Sequence, residues 1–133
     1  MTLQDSLRDW SWLMPEREVR IVDISCLGDV IFETGEEERY ILDVNAGEIR
    51  PFNNHEQELM SGMGNIIKRF EAAGLKLGHN QCFGFKPHAI FKEYEPENMY
   101  VATLNEYVSF MGDFHRQIKD LPDGTAFELK VKQ

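Results

Sequence analysis

The chain has 133 residues, 42% of them hydrophobic and 28% charged, the size and make-up of one ordinary domain with its own core. Its 23 acidic side chains outnumber 14 basic ones, for a formal net charge of -9. That balance speaks against nonspecific DNA or RNA binding and against docking on an anionic membrane, and it favours attraction to a basic protein partner. Two cysteines, Cys26 and Cys82, make no disulfide framework and are expected to be reduced, in or near the core. The N-terminus lacks the basic start of a secretory signal, and no apolar run is long enough to cross a bilayer, so the expected compartment is the cytoplasm.

Leu3, Leu7, Trp10 and Met14 recur at helical spacing, with Thr2 as cap and Pro15 as stop, and Trp10 reads as the core anchor of this helix. Glu18 to Ser25 reads as a strand. Asp29 to Thr34, Arg39 to Val44 and Glu48 to Phe52 follow as a meander whose short connections require antiparallel pairing. Pro51 suits the end of an edge strand because it lacks a backbone donor.

Asn54 and Gln57 form a capping-box pattern ahead of a helix running to Ala73. Its apolar face is Leu59, Met63, Ile66, Ile67 and Phe70, and Gly74 is placed as a left-handed cap. Gly62 and Gly64 weaken its middle and could admit close packing against a sheet. Strands at Gln81 to Phe85 and Tyr100 to Ala102 lead into a second amphipathic helix, Thr103 to Lys119. There Tyr107, Met111, Phe114 and Ile118 share one face, and Thr103 with Glu106 makes another capping-box pattern. Leu121-Pro122-Asp123-Gly124 then turns the chain into a closing strand with Phe127, Leu129 and Val131 alternating. The fold expected is a single α+β domain, 1–133: a mainly antiparallel, twisted sheet with about three helices packed against it.

Few residues suggest chemistry. His79, Cys82 and His88 are good zinc ligands at loose spacing, with His55 or His115 as a conceivable fourth, yet no firm metal motif results. Cys82 activated by His79, His88 or His115 would make a small enzyme or metal-dependent hydrolase, an alternative without a protease-type signature around it. Asp29 and Glu33, four residues apart, could share a strand face as paired carboxylates, with Asp43 nearby on the meander. Gly62-Met63-Gly64 falls inside a helical pattern and is no phosphate loop, so no cofactor is called for. Two acidic strips stand out: Glu36, Glu37 and Glu38 after Gly35 at a hairpin tip, and Glu93, Glu95 and Glu97 around Tyr94 and Pro96. With Asp29 they are the expected partner-binding set, and Tyr94 is the aromatic expected to anchor an interface. Exposed aromatics and sheet edges also leave room for a regulatory module that pairs with itself as a homodimer.

An ordered series of residues carries a family resemblance. It runs through Gly28-Asp29 with Phe32, Tyr40-x-Leu42-Asp43 with Gly47-Glu48, and Gln81 to Pro87. It continues through Tyr94 with Glu97-Asn98, Ser109-Phe110-x-Gly112 with His115-x-Gln117-Ile118, and Leu121-Pro122-x-Gly124-Thr125. The series resembles the C-terminal domain family of type VI secretion immunity proteins, and it covers roughly Cys26 to Val131. In longer members that domain follows a GAD-like domain, and here an N-terminal helix and strand stand in its place. The resemblance implies binding to a cognate, nuclease-type toxin, without catalysis, and it implies no catalytic set.

Overall fold

The computed structural model describes residues 1–35 and 38–121. The hairpin-tip residues Glu36 and Glu37, and the turn and closing strand expected after Leu121, lie outside the described residues. The architecture is α+β, with every strand pair antiparallel.

Helix α1 spans Leu3–Ser6. Thr2 caps it: its hydroxyl accepts from the Asp5 amide at 3.1 Å, and the Asp5 carboxylate accepts from the Thr2 amide at 2.9 Å. The α-helix expected to reach Met14 tightens instead into a 3-10 turn at Leu7–Trp10. The tightening goes with docking on the long C-terminal helix, α4 (Leu104–Ile118): the Trp10 indole donates to Val108 O at 2.8 Å and the Trp12 indole to Gly112 O at 3.3 Å. Gly112 is needed there, because a Cβ on it would lie 2.8 Å from Asp9 O.

Strands β1 (Val19–Ile24), β2 (Val30–Thr34), β3 (Arg39–Asp43) and β4 (Glu48–Pro51) form a four-stranded meander in sequence order. Alternation turns Val30, Phe32 and Leu42 inward, where with Val44 they meet Leu7, Trp10, Val108 and Met111 in the larger core. Burying each of these large side chains contributes about 1.5–3 kcal/mol. Pro51 ends the edge strand β4, as its missing donor predicts.

The second expected helix is two helices, α2 (Asn54–Ser61) and α3 (Met63–Ala72), joined at Gly62. Asn53, not Asn54, is the cap, accepting from the Glu56 amide at 3.1 Å. Gln57 takes no part in that cap. Leu59 is 50% exposed and so leaves the expected apolar face, while Met63, Ile66, Ile67 and Phe70 keep to it. Neither Gly62 nor Gly64 admits close packing against a sheet: an added Cβ at Gly64 would meet nothing within 4 Å, and one at Gly62 only its own helix's carbonyls. Gly74, at φ +94°, closes α3 as expected, with the Leu75 amide donating to Phe70 O and the Gly74 amide to Glu71 O.

Strands β5 (Gln81–Phe85) and β6 (Met99–Thr103) pair as a separate two-stranded sheet, so the single expected sheet is two. This hairpin is a layer between helices. Cys82 and Ala102 join the α4 core, whereas Phe83, Phe85 and Met99 form a second core with Phe70 of α3. The rings of Phe70 and Phe83 meet edge-on at 4.8 Å. Thr103 stands at the N-cap of α4 without a side-chain capping bond, so the expected box with Glu106 does not form. A tertiary acceptor serves this helix start instead: the Leu104 amide donates to Asn80 O at 2.9 Å. Among the described residues no helix is long and apolar enough to cross a membrane.

Candidate partner-binding surface

The expected acids separate into buried and exposed groups. Asp29 does not belong to a surface. It sits in the tight turn between β1 and β2 and is only 7% exposed. The Ser25 hydroxyl donates to its Oδ2 at 3.0 Å and itself accepts from the Leu27 and Asp29 amides at 3.1 Å. Asp29 Oδ1 is buried without a hydrogen-bond partner. Burial, reinforced by the Asp43 carboxylate, pushes the Asp29 carboxyl up to about 7. Nor do Asp29 and Glu33 pair on one face. Glu33 accepts from Arg20 of β1 and from Arg39 of β3, the latter at 2.7 Å, and these hydrogen bonds hold its carboxyl below the usual range. Asp43 is bound by Arg50, which also grips Glu48 and Glu56 at 2.6 and 2.7 Å and so ties β3, β4 and α2 together.

Cys82 and His79 do not form a reactive pair. Cys82 is fully buried between the cores, and burial first, then the nearby Asp29, pushes its thiol up to about 12. A thiol so protonated is a poor nucleophile. His79 and His88 are exposed. His115 is buried, its Nε2–H within 3.1 Å of Val44 O and 3.2 Å of Asn45 O; both are acceptors, which places the proton on Nε2. Among the described residues no three His, Cys, Asp or Glu side chains converge as metal ligands.

Glu38, the described member of the hairpin-tip strip, is exposed, and its carboxylate accepts from the Tyr40 hydroxyl. The other strip, around Tyr94, is a surface built on a fastened loop. Pro96–Asn98 is a 3-10 turn, and Asn98 Nδ2 donates to Glu93 O at 2.9 Å. Arg69 of α3 donates to Tyr94 O at 2.6 Å and lies 3.7 Å from the Glu95 carboxylate. Lys86 Nζ donates to Glu97 O at 3.1 Å. The backbone carbonyls are therefore held from beneath, while Glu93 and Glu97 are exposed and Glu95 is half-buried.

Tyr94 is the fastener of this loop more than its outward anchor. It is 38% exposed, its ring packs at 4.9 Å on Phe85, and burial with the Asp43 and Asp29 carboxylates nearby pushes its hydroxyl up to about 12. The aromatic that projects is Phe91, 63% exposed, with φ +75°. Sequence reading missed it, because a Phe in the run Ala89-Ile90-Phe91 has the same composition signal as a core residue. Its one distinguishing feature, a left-handed backbone at a bulky side chain, is visible only in three dimensions.

Grooves of 440 and 500 Å³ run along the N-terminal segment, beside Gln4 and Val19. Their arginines include Arg8, 3.6 Å from Asp5, and Arg20, bound to Glu33, and none of residues 91–97 lines either groove. No protein-family model and no curated protein matches this chain.

Proposed function

We propose that this chain is an immunity-type protein of the cytoplasm that neutralises a cognate, nuclease-type toxin by direct protein–protein binding, with no bond made or broken. The observation that carries this reading is the fastened loop 93–97, which presents Glu93 and Glu97 to solvent in a chain of net charge -9. A loop already held by Arg69, Lys86 and Asn98 loses little conformational freedom on docking, so its carboxylates meet a basic surface at low entropic cost. Opposite net charge raises the rate of encounter. The family resemblance in the residues from Gly28 to Thr125 points to the same role and to the nuclease class of target.

The test pairs this chain with the product of the gene beside its own. Co-expression is expected to rescue growth, and the purified pair is expected to bind one to one, with affinity falling as salt is raised from about 50 to about 500 mM, which shortens the Debye length about three-fold. Failure of rescue together with failure of binding overturns the reading.

A further inference from the structure

We infer that Phe91 is the anchor of the docking surface, and that the partner surface it fits is an apolar socket rimmed by lysine or arginine side chains. This inference rests on the toxin-binding reading above and adds to it the residue that carries the affinity and the shape of what receives it.

Several observations converge on this side chain. Phe91 leaves 63% of its surface in water although Phe114 of the larger core, only 3% exposed, lies beside it. Its ring stands 5.9 Å from both Phe114 and His115 of α4, so it is braced from below and has a fixed direction. Its backbone has φ +75°, a conformation that bulky residues rarely take. The loop around it is closed by the Ala89 amide donating to Lys86 O at 2.8 Å and the Lys92 amide donating to Ala89 O at 3.0 Å. An exposed, rigid aromatic at a braced position is the side-chain type that dominates interface energetics. Exposed carboxylates follow at Glu93 and Glu97, with Lys92 the one cation of the segment 91–97.

Charge decides among occupants. A second copy of this chain would bring a like net charge of -9 to the contact. An anionic bilayer would repel Glu93 and Glu97 at the depth Phe91 would need. A cationic protein surface is attracted by the rim and covers the ring, which matches an apolar centre with a polar edge.

The experiment uses the full chain, its Phe91→Ala, Phe91→Gly and Phe91→Trp variants, and the product of the neighbouring gene as probe. Thermal unfolding of each variant is measured first. Phe91→Gly removes the ring and suits a left-handed backbone, so its melting temperature is expected to equal or exceed that of the parent. Both Phe91→Ala and Phe91→Gly are expected to weaken binding about thirty-fold or more, chiefly through faster dissociation, while Phe91→Trp keeps binding within a few-fold. Binding by the parent with Phe91→Gly unchanged overturns this inference and leaves the immunity reading standing. No binding by the parent overturns both. Sedimentation of the parent with phosphatidylglycerol vesicles, or a dimer that Phe91→Gly dissolves, assigns Phe91 to a different contact and likewise overturns it.

Discussion

The Tyr107 hydroxyl donates to Asn45 Oδ1 at 2.6 Å, joining α4 to the turn after β3 across 62 positions of sequence. The same oxygen accepts from the Phe85 amide at 3.0 Å, so one buried phenol links the meander, the hairpin and the long helix. Phe85 in turn supports the Tyr94 ring, which places this junction directly beneath the acidic loop. Tyr107→Phe leaves the Asn45 oxygen without its donor and the Phe85 amide without its acceptor, in a site that is 2% exposed at residue 107. The expected cost is about 1–3 kcal/mol, read as a lower urea midpoint with an unchanged m-value.

Two glycines are expected to respond in opposite directions to alanine. Gly47 has φ +73°, and a Cβ on it would lie 2.5 Å from His115 Nδ1. The left-handed backbone alone costs about 1–2 kcal/mol, and displacing His115 from its carbonyl acceptors adds to that. Gly64 lies in α3 with open space around it, so Gly64→Ala is expected to stabilise by about 0.5–1 kcal/mol. Thermal melts of the two variants against the parent check both signs.

Among the described residues, strands were legible to within a residue or so at each end, because alternation such as Ile21, Phe32 and Leu42 on one face records the core directly. Helix starts were legible in position, with Thr2 and Thr103 at their caps, but the capping bonds of α2 and α4 were not. Thr103 and Glu106 spell a capping box, but the Leu104 amide is met by Asn80 O, an acceptor 24 positions away that local pattern cannot contain. Asn53 and Asn54 are chemically equal caps, and the choice follows from where β4 releases the chain. Asp29 reads as a surface acid by type, and only the hydrogen bonds of the Ser25–Asp29 turn show it buried. At the acidic loop the residue types predicted exposure correctly at Glu93, Glu97 and Tyr94, but gave no sign of Phe91, which is 63% exposed.

Asp29 gives the fold a distinctive pH dependence. Its carboxyl is pushed from the ordinary value of 3.8 up to about 7, so between those limits the folded chain holds a proton that the unfolded chain has released. Its contribution to stability is therefore fully present below about pH 4 and is lost as pH rises through about 7. Burial and then the Asp43 carboxylate act against the charged form, while Ser25, the Val44 amide and Arg50 act for it. His115 works in the opposite sense, since burial lowers its pKa and stability falls as the solution becomes more acidic than about pH 6.5. Asp29→Asn removes the first effect and keeps the second. Urea midpoints from pH 4 to 8 are expected to show the variant gaining on the parent steadily as pH rises, and a difference that does not change with pH would contradict the burial of this charge.

Arg69 offers a way to loosen the acidic loop without altering its charges. Its guanidinium, half-exposed, holds Tyr94 O at 2.6 Å and lies 3.7 Å from Glu95. Exposed contacts of this kind contribute less than about 1 kcal/mol to global stability, so Arg69→Ala is expected to leave the melting temperature nearly unchanged. Locally the effect is larger. The Glu95 amide donates to Glu93 O at 2.8 Å and the Asn98 amide to Glu95 O at 2.9 Å, and both are expected to exchange with deuterium faster once Tyr94 O is released. If the toxin-binding reading holds, the variant also binds more weakly, because ordering of the loop then has to be supplied by the partner at the moment of contact. Faster exchange at Glu95 and Asn98, with exchange in β2 and β3 unaltered, is the pattern that ties the loop's rigidity to this one arginine.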